Sequence, residues 1–263
     1  MSRWWAERLR IGLAPQRVEL ARLRWLSGAK AARESSVSCA PQAGEPPWLA
    51  ALQALEAPLA EAGARGAAVT VVLSNHFVRY LVLPWQPKVL RAAEVEQLAR
   101  LRFAHRFGAT AQDWTIRCSD AGYGAAQLAC AVDTALITDL RARLAAHGMR
   151  LVSMQPLLMA GYNAVRRELA THSALAIVEA GRVCLGLRER SQWLDVTSRR
   201  AGVDLADAIE QELATREPDA SPVLDVLLVG EGAAWPAQGM PRARLLGKSQ
   251  SGFACSLAMC GAT

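Results

Sequence analysis

The amino-acid sequence contains the same order of predicted elements twice: three short strands, a helix and a fourth strand. The first set is expected at Leu9–Ala14, Arg17–Trp25, Lys30–Cys39, Trp48–Ala62 and Val69–Leu73. The second set is expected at Ala174–Glu179, Arg182–Arg188, Gln192–Ser198, Asp204–Thr215 and Val223–Val229. This repeat restricts the architecture to two similar lobes, and the cleft of such a fold often holds a nucleotide.

Further elements are expected between and after the two sets. One strand, one helix at Val89–Phe107 and two more strands form a predicted inserted subdomain at about 76–132. The apolar face of that helix is expected to comprise Leu90, Ala93, Leu98, Leu101 and Ala104. A helix capped by Asp133, a strand and a bridging helix after Pro156 follow. The predicted lobes are therefore 1–156 and 157–263, with the apolar stretch Phe253–Met259 packed on the second lobe.

Charge and composition limit the classes of partner. The 263 residues are 52% hydrophobic and carry a formal net charge of +6, so a folded, basic protein is expected. Its basic surface favours an acidic protein or anionic lipid. Nucleic acid is not an expected partner, because the arginines are scattered and no nucleic-acid-binding motif accompanies them.

The six cysteines and four histidines do not form a recognisable metal or redox motif. The cysteines lack a CxxC pair, and no two histidines have metal-ligand spacing. The cysteines are interpreted as small buried residues in a reducing cytosol, in preference to disulfides or a metal site. No apolar window is long enough to span a bilayer, and no signal peptide is expected. We therefore expect a cytoplasmic protein that docks at the membrane through a partner.

Four segments carry a resemblance to a known family: FVRYLVLPW at 77–85, AAEVEQLARLRF at 92–103, DWTIR at 113–117 and LRARLAAHGMRLVSMQP at 140–156. With the element order, they resemble PilM-type proteins of type IV pilus assembly and the cytoplasmic domain of GspL from type II secretion. The implied fold class is α/β and actin-like, with duplicated ribonuclease-H-like lobes. The inserted subdomain resembles that of FtsA and PilM in its position in the first lobe.

The resemblance implies a scaffold at the periphery of the inner membrane. PilM-type proteins hold the cytoplasmic tail of a bitopic partner in a groove of the first lobe beside the inserted subdomain and contact the assembly ATPase. A homodimer is a further possible assembly. The candidate apolar wall of this groove is Leu83, Pro84, Trp85, Leu98 and Leu101. GspL-like proteins continue into a transmembrane helix, so this chain is expected to be either a free-standing PilM-like protein or an excised domain.

The nucleotide-binding elements of the actin-like fold are expected to be degenerate. The first hairpin has Leu13 where the family has an aspartate, and Pro15 lacks a backbone donor. Glu179 and Gly181 keep an acid-x-glycine pattern, and Gly230 and Gly232 resemble an adenosine-backing pair, although ordinary turns explain both. The loss of one catalytic carboxylate is expected to slow hydrolysis by roughly 10²–10⁴-fold. We therefore expect no catalytic residue, metal or cofactor, with weak ATP binding left open and a nucleotide-binding actin-like ATPase as the alternative.

Overall fold

The computed structural model describes residues 8–26, 29–88, 91–190, 192–201, 209, 213, 223–230, 243–246 and 256–260. The strands are β1 Arg8–Ala14, β2 Arg17–Leu26, β3 Ala29–Ser38, β4 Ala68–Leu73, β5 Val78–Leu83, β6 Trp114–Cys118, β7 Gln127–Asp133, β8 Arg150–Pro156, β9 His172–Glu179, β10 Arg182–Glu189, β11 Gln192–Arg200, β12 Val223–Leu228 and β13 Ala243–Leu245. The α-helices are α1 Leu49–Ala54, α2 Glu56–Ala62, α3 Ala92–Phe107, α4 Thr134–Ala146 and α5 Leu157–Val165, and a 3-10 helix spans Gly108–Asp113.

Two five-stranded sheets have the same topology. The first sheet has the order β3-β2-β1-β4-β8 and the second has the order β11-β10-β9-β12-β13. In each, three antiparallel strands are followed by two parallel ones. The predicted duplication is therefore confirmed at the level of strand pairing. Most of the predicted second-lobe helix, Asp204–Thr215, lies outside the described residues, as do Leu90 and Gly232.

The chain divides into two compact units, and each unit is built from more than one stretch of the sequence. One unit comprises Met1–Val78, Val132–Ala160 and Ser256–Thr263, and the other comprises Arg79–Ala131 and Gly161–Cys255. Each unit contains one of the five-stranded sheets. The lobe boundaries 1–156 and 157–263 stay a prediction from the sequence.

The helix expected at Trp48–Ala62 is divided into two short helices. The break falls at Leu55, between α1 and α2. Pro58 has no N–H to donate to the carbonyl four residues earlier, which removes the bond that would have joined the two turns. The leucines of this segment nevertheless face the core: Leu52, Leu55 and Leu59 are each at most 1% exposed, and Leu49 is half-buried.

The inserted subdomain is a three-stranded sheet with the order β5-β7-β6, packed against α3. The predicted face of α3 is wrong. Ala99 and Phe103 are fully buried and Val95 and Phe107 pack beside them, whereas Leu101 is 62% exposed. Phe103 and Phe107 both contact the Trp114 ring edge-to-face, at centroid distances of 6.3 and 5.4 Å. This aromatic cluster fixes which side of α3 faces its sheet.

Helix α4 begins as the sequence predicts. The Asp133 carboxylate accepts a 2.9 Å hydrogen bond from the Ala135 N–H and a 3.1 Å bond from the Trp48 indole. Three leucines on one face, Leu136, Leu140 and Leu144, are fully buried. The cap and this stripe together account for the position of α4 in the first unit.

The two faces of the second sheet differ in character. One face carries an apolar core that includes Val183, Leu185 and Val226. The other face receives α5, where a Cβ atom added to Gly161 would lie 2.5 Å from the Ile177 side chain. The small size of Gly161 lets the helix backbone approach the sheet closely, with only the ends of aliphatic side chains beside it.

The C-terminal segment corrects another expectation. Residues Ser256–Cys260 form a turn that is hydrogen-bonded to Arg10 of β1 and Glu19 of β2. They therefore pack on the first sheet, and the prediction that Phe253–Met259 packs on the second lobe is wrong. The first part of that predicted stretch, 253–255, lies outside the described residues.

Candidate functional site

A groove open to solvent lies within the inserted subdomain. Its walls come from the end of β5 and the residues after it, from α3, and from the turn between β6 and β7. Four of the five residues that the sequence predicts for partner binding line it together: Leu83, Pro84, Trp85 and Leu98. The fifth, Leu101, is not among the lining residues and lies on the exposed side of α3.

Trp85 and Tyr123 form an aromatic pair at the groove. Their ring centroids lie 4.9 Å apart with an interplanar angle of 66°, an edge-to-face contact. Tyr123 is 87% exposed and sits between Gly122 and Gly124, the second of which has a φ of +80°. Glycine at that position allows the tight turn that carries the tyrosine ring to Trp85. The sequence indicated the turn but not the role of Tyr123, although an exposed aromatic residue between two glycines was a usable signal.

The opposite wall is formed by two residues of α3. Val95 and Leu98 lie one turn apart, so their side chains share a strip of the helix surface that faces the groove. Leu98 is half-buried, while Leu101, one further turn along, leaves the groove. The same helix therefore buries one face in the core of the subdomain and contributes a second face to the groove.

The groove combines apolar walls with a few hydrogen-bonding groups. About 730 Å³ of empty space, which includes open solvent, lies inside it. Gln86 and Gln127 add side-chain amides, each with two donors and an acceptor. Such a surface can hold one or two apolar side chains of an extended peptide while hydrogen-bonding its backbone. Val95 and the two glutamines are not recognisable as groove residues from the sequence.

The first glycine-containing hairpin is closed by a two-residue turn, Pro15–Gln16. The main-chain N–H of Cys39 donates to the Gln16 carbonyl at 2.9 Å, and its thiol donates to the Pro15 carbonyl at 3.3 Å. Leu13, expected at an aspartate position, is fully buried in the first unit. The turn presents carbonyl oxygens to Cys39, and Pro15 has no N–H to offer an anion.

The second hairpin has the same construction. Its turn is Ala180–Gly181, with Gly181 at a φ of +71°, and the Gly181 carbonyl accepts from the Ala201 N–H at 3.0 Å. Arg182 donates to the Ser198 hydroxyl at 3.1 Å. Desolvation lowers the pKa of the Arg182 guanidinium, an effect that the nearby Glu179 carboxylate opposes.

The strand register aligns the two hairpins residue by residue. Ala14 pairs with Arg17 across the first turn, as Glu179 pairs with Arg182 across the second. Ala14, one residue later than Leu13, therefore holds the position equivalent to Glu179. By either alignment the first hairpin lacks a carboxylate there. Gly230 follows β12 with a φ of +79° and Gly232 lies outside the described residues.

The cysteines in the described part of the chain are free thiols. Burial raises the pKa of Cys130 to about 11 and also raises the pKa values of Cys39, Cys118 and Cys184. A thiol with a raised pKa stays protonated near neutral pH and is a poor nucleophile. Among the described residues, no group of three His, Cys, Asp or Glu side chains is placed to hold a metal ion. No described helix is long and apolar enough to cross a membrane.

Comparison with known proteins depends on structure, because no family model and no curated protein sequence matches the chain. The PilM–PilN type IV pilus biogenesis complex matches with a TM-score of 0.61 at 17% identity, over 84% of this chain and 80% of that one. The cytoplasmic domain of EpsL, an inner-membrane component of the type II secretion system of Vibrio cholerae, matches with a TM-score of 0.61 at 14% identity, over 97% and 94%.

A third match names the fold. It is a Bacteroides thetaiotaomicron protein of unknown function with an actin-like ATPase fold, with a TM-score of 0.57 at 14% identity, over 86% of this chain and 82% of that one. The chain has the actin-like fold. The duplicated sheets agree with this result, and the expected structural resemblance to PilM-type and GspL-like proteins is confirmed.

Proposed function

We propose that the protein is a non-catalytic scaffold of a type IV pilus or type II secretion platform at the cytoplasmic face of the inner membrane. The groove of the inserted subdomain receives the cytoplasmic tail of a bitopic membrane protein. A second surface contacts the assembly ATPase, and the positive net charge favours an acidic partner or anionic lipid there. The observation that best supports this proposal is that one solvent-open groove is lined by Leu83, Pro84, Trp85 and Leu98.

The chemistry of the groove supports an extended peptide as its occupant. Trp85 and Tyr123 supply large, rigid apolar surfaces, which are typical anchors at protein interfaces. Their edge-to-face contact fixes the width of the opening, so the incoming side chain meets a preformed wall. The two glutamines at the groove bind main-chain groups of the peptide, so recognition uses both shape and backbone hydrogen bonds.

Site-specific photo-crosslinking in cells tests this proposal. A photo-reactive phenylalanine analogue replaces Tyr123, which is at the groove and 87% exposed, or Leu194, which is 44% exposed on β11 of the second sheet. We expect the probe at Tyr123 to crosslink a bitopic inner-membrane protein of the same secretion or pilus system. The matched probe at Leu194 is not expected to crosslink that protein. Equal crosslinking from both positions would contradict the proposed docking site.

An actin-like ATPase is the alternative, favoured by the Glu179-x-Gly181 pattern on the second hairpin. Against it stand the two-residue turn of the first hairpin and the absence of a carboxylate at Ala14. Calorimetric titration with Mg-ATP separates the two functions. A dissociation constant tighter than about 100 µM, roughly −5.5 kcal/mol, would favour the ATPase, and the scaffold is expected to bind more weakly.

A further inference from the structure

The segment Ser256–Cys260 is held on the first sheet by two buried charged side chains. Arg10 donates from Nε to the Ala258 carbonyl at 2.7 Å and from Nη2 to the Cys260 carbonyl at 2.6 Å. The Glu19 carboxylate accepts from the Ser256 hydroxyl at 2.8 Å and from the Ala258 N–H at 3.1 Å. Arg10 and Glu19 are 8% and 7% exposed, so these charge-assisted bonds form where water is largely excluded.

Gly12 lies between these two side chains on the surface of the sheet. A Cβ atom at Gly12 would lie 2.7 Å from the Ala258 nitrogen and 2.8 Å from the Leu257 Cγ. Leu257 is 4% exposed, so its side chain is pressed into the space that the glycine leaves open. The first of these contacts is with backbone, which cannot rotate away, so any larger residue at Gly12 displaces the segment.

The second sheet uses the opposite arrangement at the equivalent place. The hairpin register aligns Gly12 of β1 with Ile177 of β9. There the bulky residue is on the sheet and the glycine, Gly161, is on the covering helix α5. Helix α5 precedes β9 by a short connection in the sequence. The segment that covers the first sheet is distant in the sequence, because Ala258 comes 248 residues after Arg10.

Recognition of the segment depends mainly on its main chain. Arg10 contacts two carbonyl groups, and one of the two Glu19 bonds is to an N–H group. The Ser256 hydroxyl and the Leu257 side chain add contacts that depend on the sequence of the segment, and the Ala258 and Cys260 side chains are buried as well. No described strand pairs with the segment, which is held by bonds to Arg10 and Glu19 and by the inserted Leu257.

We propose that Arg10, Gly12 and Glu19 form a peptide-binding site. The chain fills this site with its own segment Ser256–Cys260, and this segment is a latch that can detach. Opening the latch exposes both charged groups to water, so their hydration offsets part of the lost bonding. In this proposal the latch opens without unfolding of the first sheet, as a local transition. This inference is independent of the proposed scaffold function.

The full-length chain with Leu257→Asp tests the latch, because a carboxylate cannot occupy the space beside Gly12. Met259→Asp is the matched control, since Met259 is in the same turn but half-buried. By hydrogen exchange, we expect the amide of Ala258 to exchange at least 100-fold faster in L257D and less than about threefold faster in M259D. The amides of β1 and β2 are expected to keep their protection in both variants.

A second measurement detects the vacated site directly. A fluorescein-labelled peptide with the sequence of residues 256–263 is titrated into the full-length L257D chain and followed by fluorescence anisotropy. We expect saturable 1:1 binding that is at least tenfold weaker in the double variant Gly12→Val, Leu257→Asp. A folded L257D chain that fails to bind the peptide would overturn the proposal. So would an L257D chain that cannot fold, because the segment would then be integral to the sheet.

Discussion

Replacement of Gly186 by alanine is expected to destabilise the second sheet, because the added methyl group would clash with the Trp193 ring. A Cβ atom at Gly186 would lie 2.4 Å from Cζ3 and 3.0 Å from Cε3 of Trp193. Carbon atoms in contact are normally about 3.5–4.0 Å apart, so the indole must move by about 1 Å. The ring is 7% exposed and held by Tyr162 at a centroid distance of 5.2 Å and by the Arg188 guanidinium at 5.4 Å.

The expected cost follows from these contacts. Overpacking of a filled core costs about 1–3 kcal/mol, and disturbing one aromatic and one cation–π contact adds about 1 kcal/mol. The alanine recovers roughly 0.5–1 kcal/mol because glycine loses more backbone entropy on folding. The free energy of unfolding of Gly186→Ala is therefore expected to fall by about 2 kcal/mol, a factor of about 30 in the folding equilibrium constant.

Urea titration followed by far-UV circular dichroism measures this cost in two backgrounds. In the Trp193→Ala background the clashing atoms are gone, so adding Gly186→Ala is expected to cost nothing or to stabilise slightly. The difference between backgrounds is the coupling energy of the two positions. A cost of about 2 kcal/mol in both backgrounds would refute the clash with Trp193 as the cause.

Three further substitutions have definite expected outcomes. Hydrogen bonds from His147 and then Arg143 lower the pKa of Glu56, so the carboxylate stabilises the fold above its unfolded-state pKa and this contribution is lost as pH falls through the folded-state value. Glu56 is partly exposed, so Glu56→Gln should cost about 0.5–1 kcal/mol at pH 7 and nothing near pH 2, by urea titration at both pH values. Asp133→Ala removes a helix cap and an indole bond, so it should lower the free energy of unfolding by about 2 kcal/mol in thermal unfolding. Asp133→Asn should lower it by less than half as much, because the asparagine side chain still has an acceptor oxygen. Gly161→Ala should change stability by less than about 1 kcal/mol in the same assay, because its Cβ meets only the ends of flexible aliphatic side chains and alanine favours the helix; a loss as large as that for Gly186→Ala would contradict this reasoning.

The strands of both lobes were predictable because local signals define them. Turn residues such as Pro15 and Gly181 bound runs of apolar residues whose length suits a buried strand. The order of elements was sufficient to predict the duplicated topology, since it restricts how the strands can pair. The helix cap at Asp133 was equally local, because its bond joins residues two apart.

The orientation of α3 was not predictable from periodicity alone. Leu98 and Leu101 form an apolar strip on the helix, and so do Ala99 and Phe103. The strip that contains Ala99 and Phe103 is the buried one, because Phe103 packs against the Trp114 ring on the strand that follows the helix. Of the other strip, Leu98 lines the groove and Leu101 is exposed outside it.

The position of the C-terminal segment depends on contacts between distant residues. Arg10 and Glu19 lie on short strands where charged side chains are commonly solvent-exposed, and nothing near them in the sequence indicates Ala258. Gly12 belongs to the first hairpin, and only the folded structure reveals that its small size leaves room for Leu257. Long-range complementarity of this kind leaves no periodic signal.

Four residues that line the candidate groove were singled out from the sequence, but the groove lies within the inserted subdomain and not in the first lobe beside it. The resemblance over 77–103 gave Leu83, Pro84, Trp85 and Leu98 their position, since strand and helix are consecutive. Tyr123 reaches the same groove from a turn 38 residues beyond Trp85, through the pairing of β6 with β7. The sequence therefore indicated one side of the groove, and the strand order supplied the other.

Docking of a membrane partner in the groove is tested most directly by two leucines of α3. Leu98 lines the groove, whereas Leu101 on the same helix is exposed outside it. We measure how much of the bitopic partner co-purifies from membranes with full-length protein carrying Leu98→Asp or Leu101→Asp. The account predicts at least a tenfold loss for Leu98→Asp, equivalent to about 1.4 kcal/mol of binding free energy, and less than a twofold loss for Leu101→Asp. Equal losses, or full retention by Leu98→Asp in a folded chain, would contradict it.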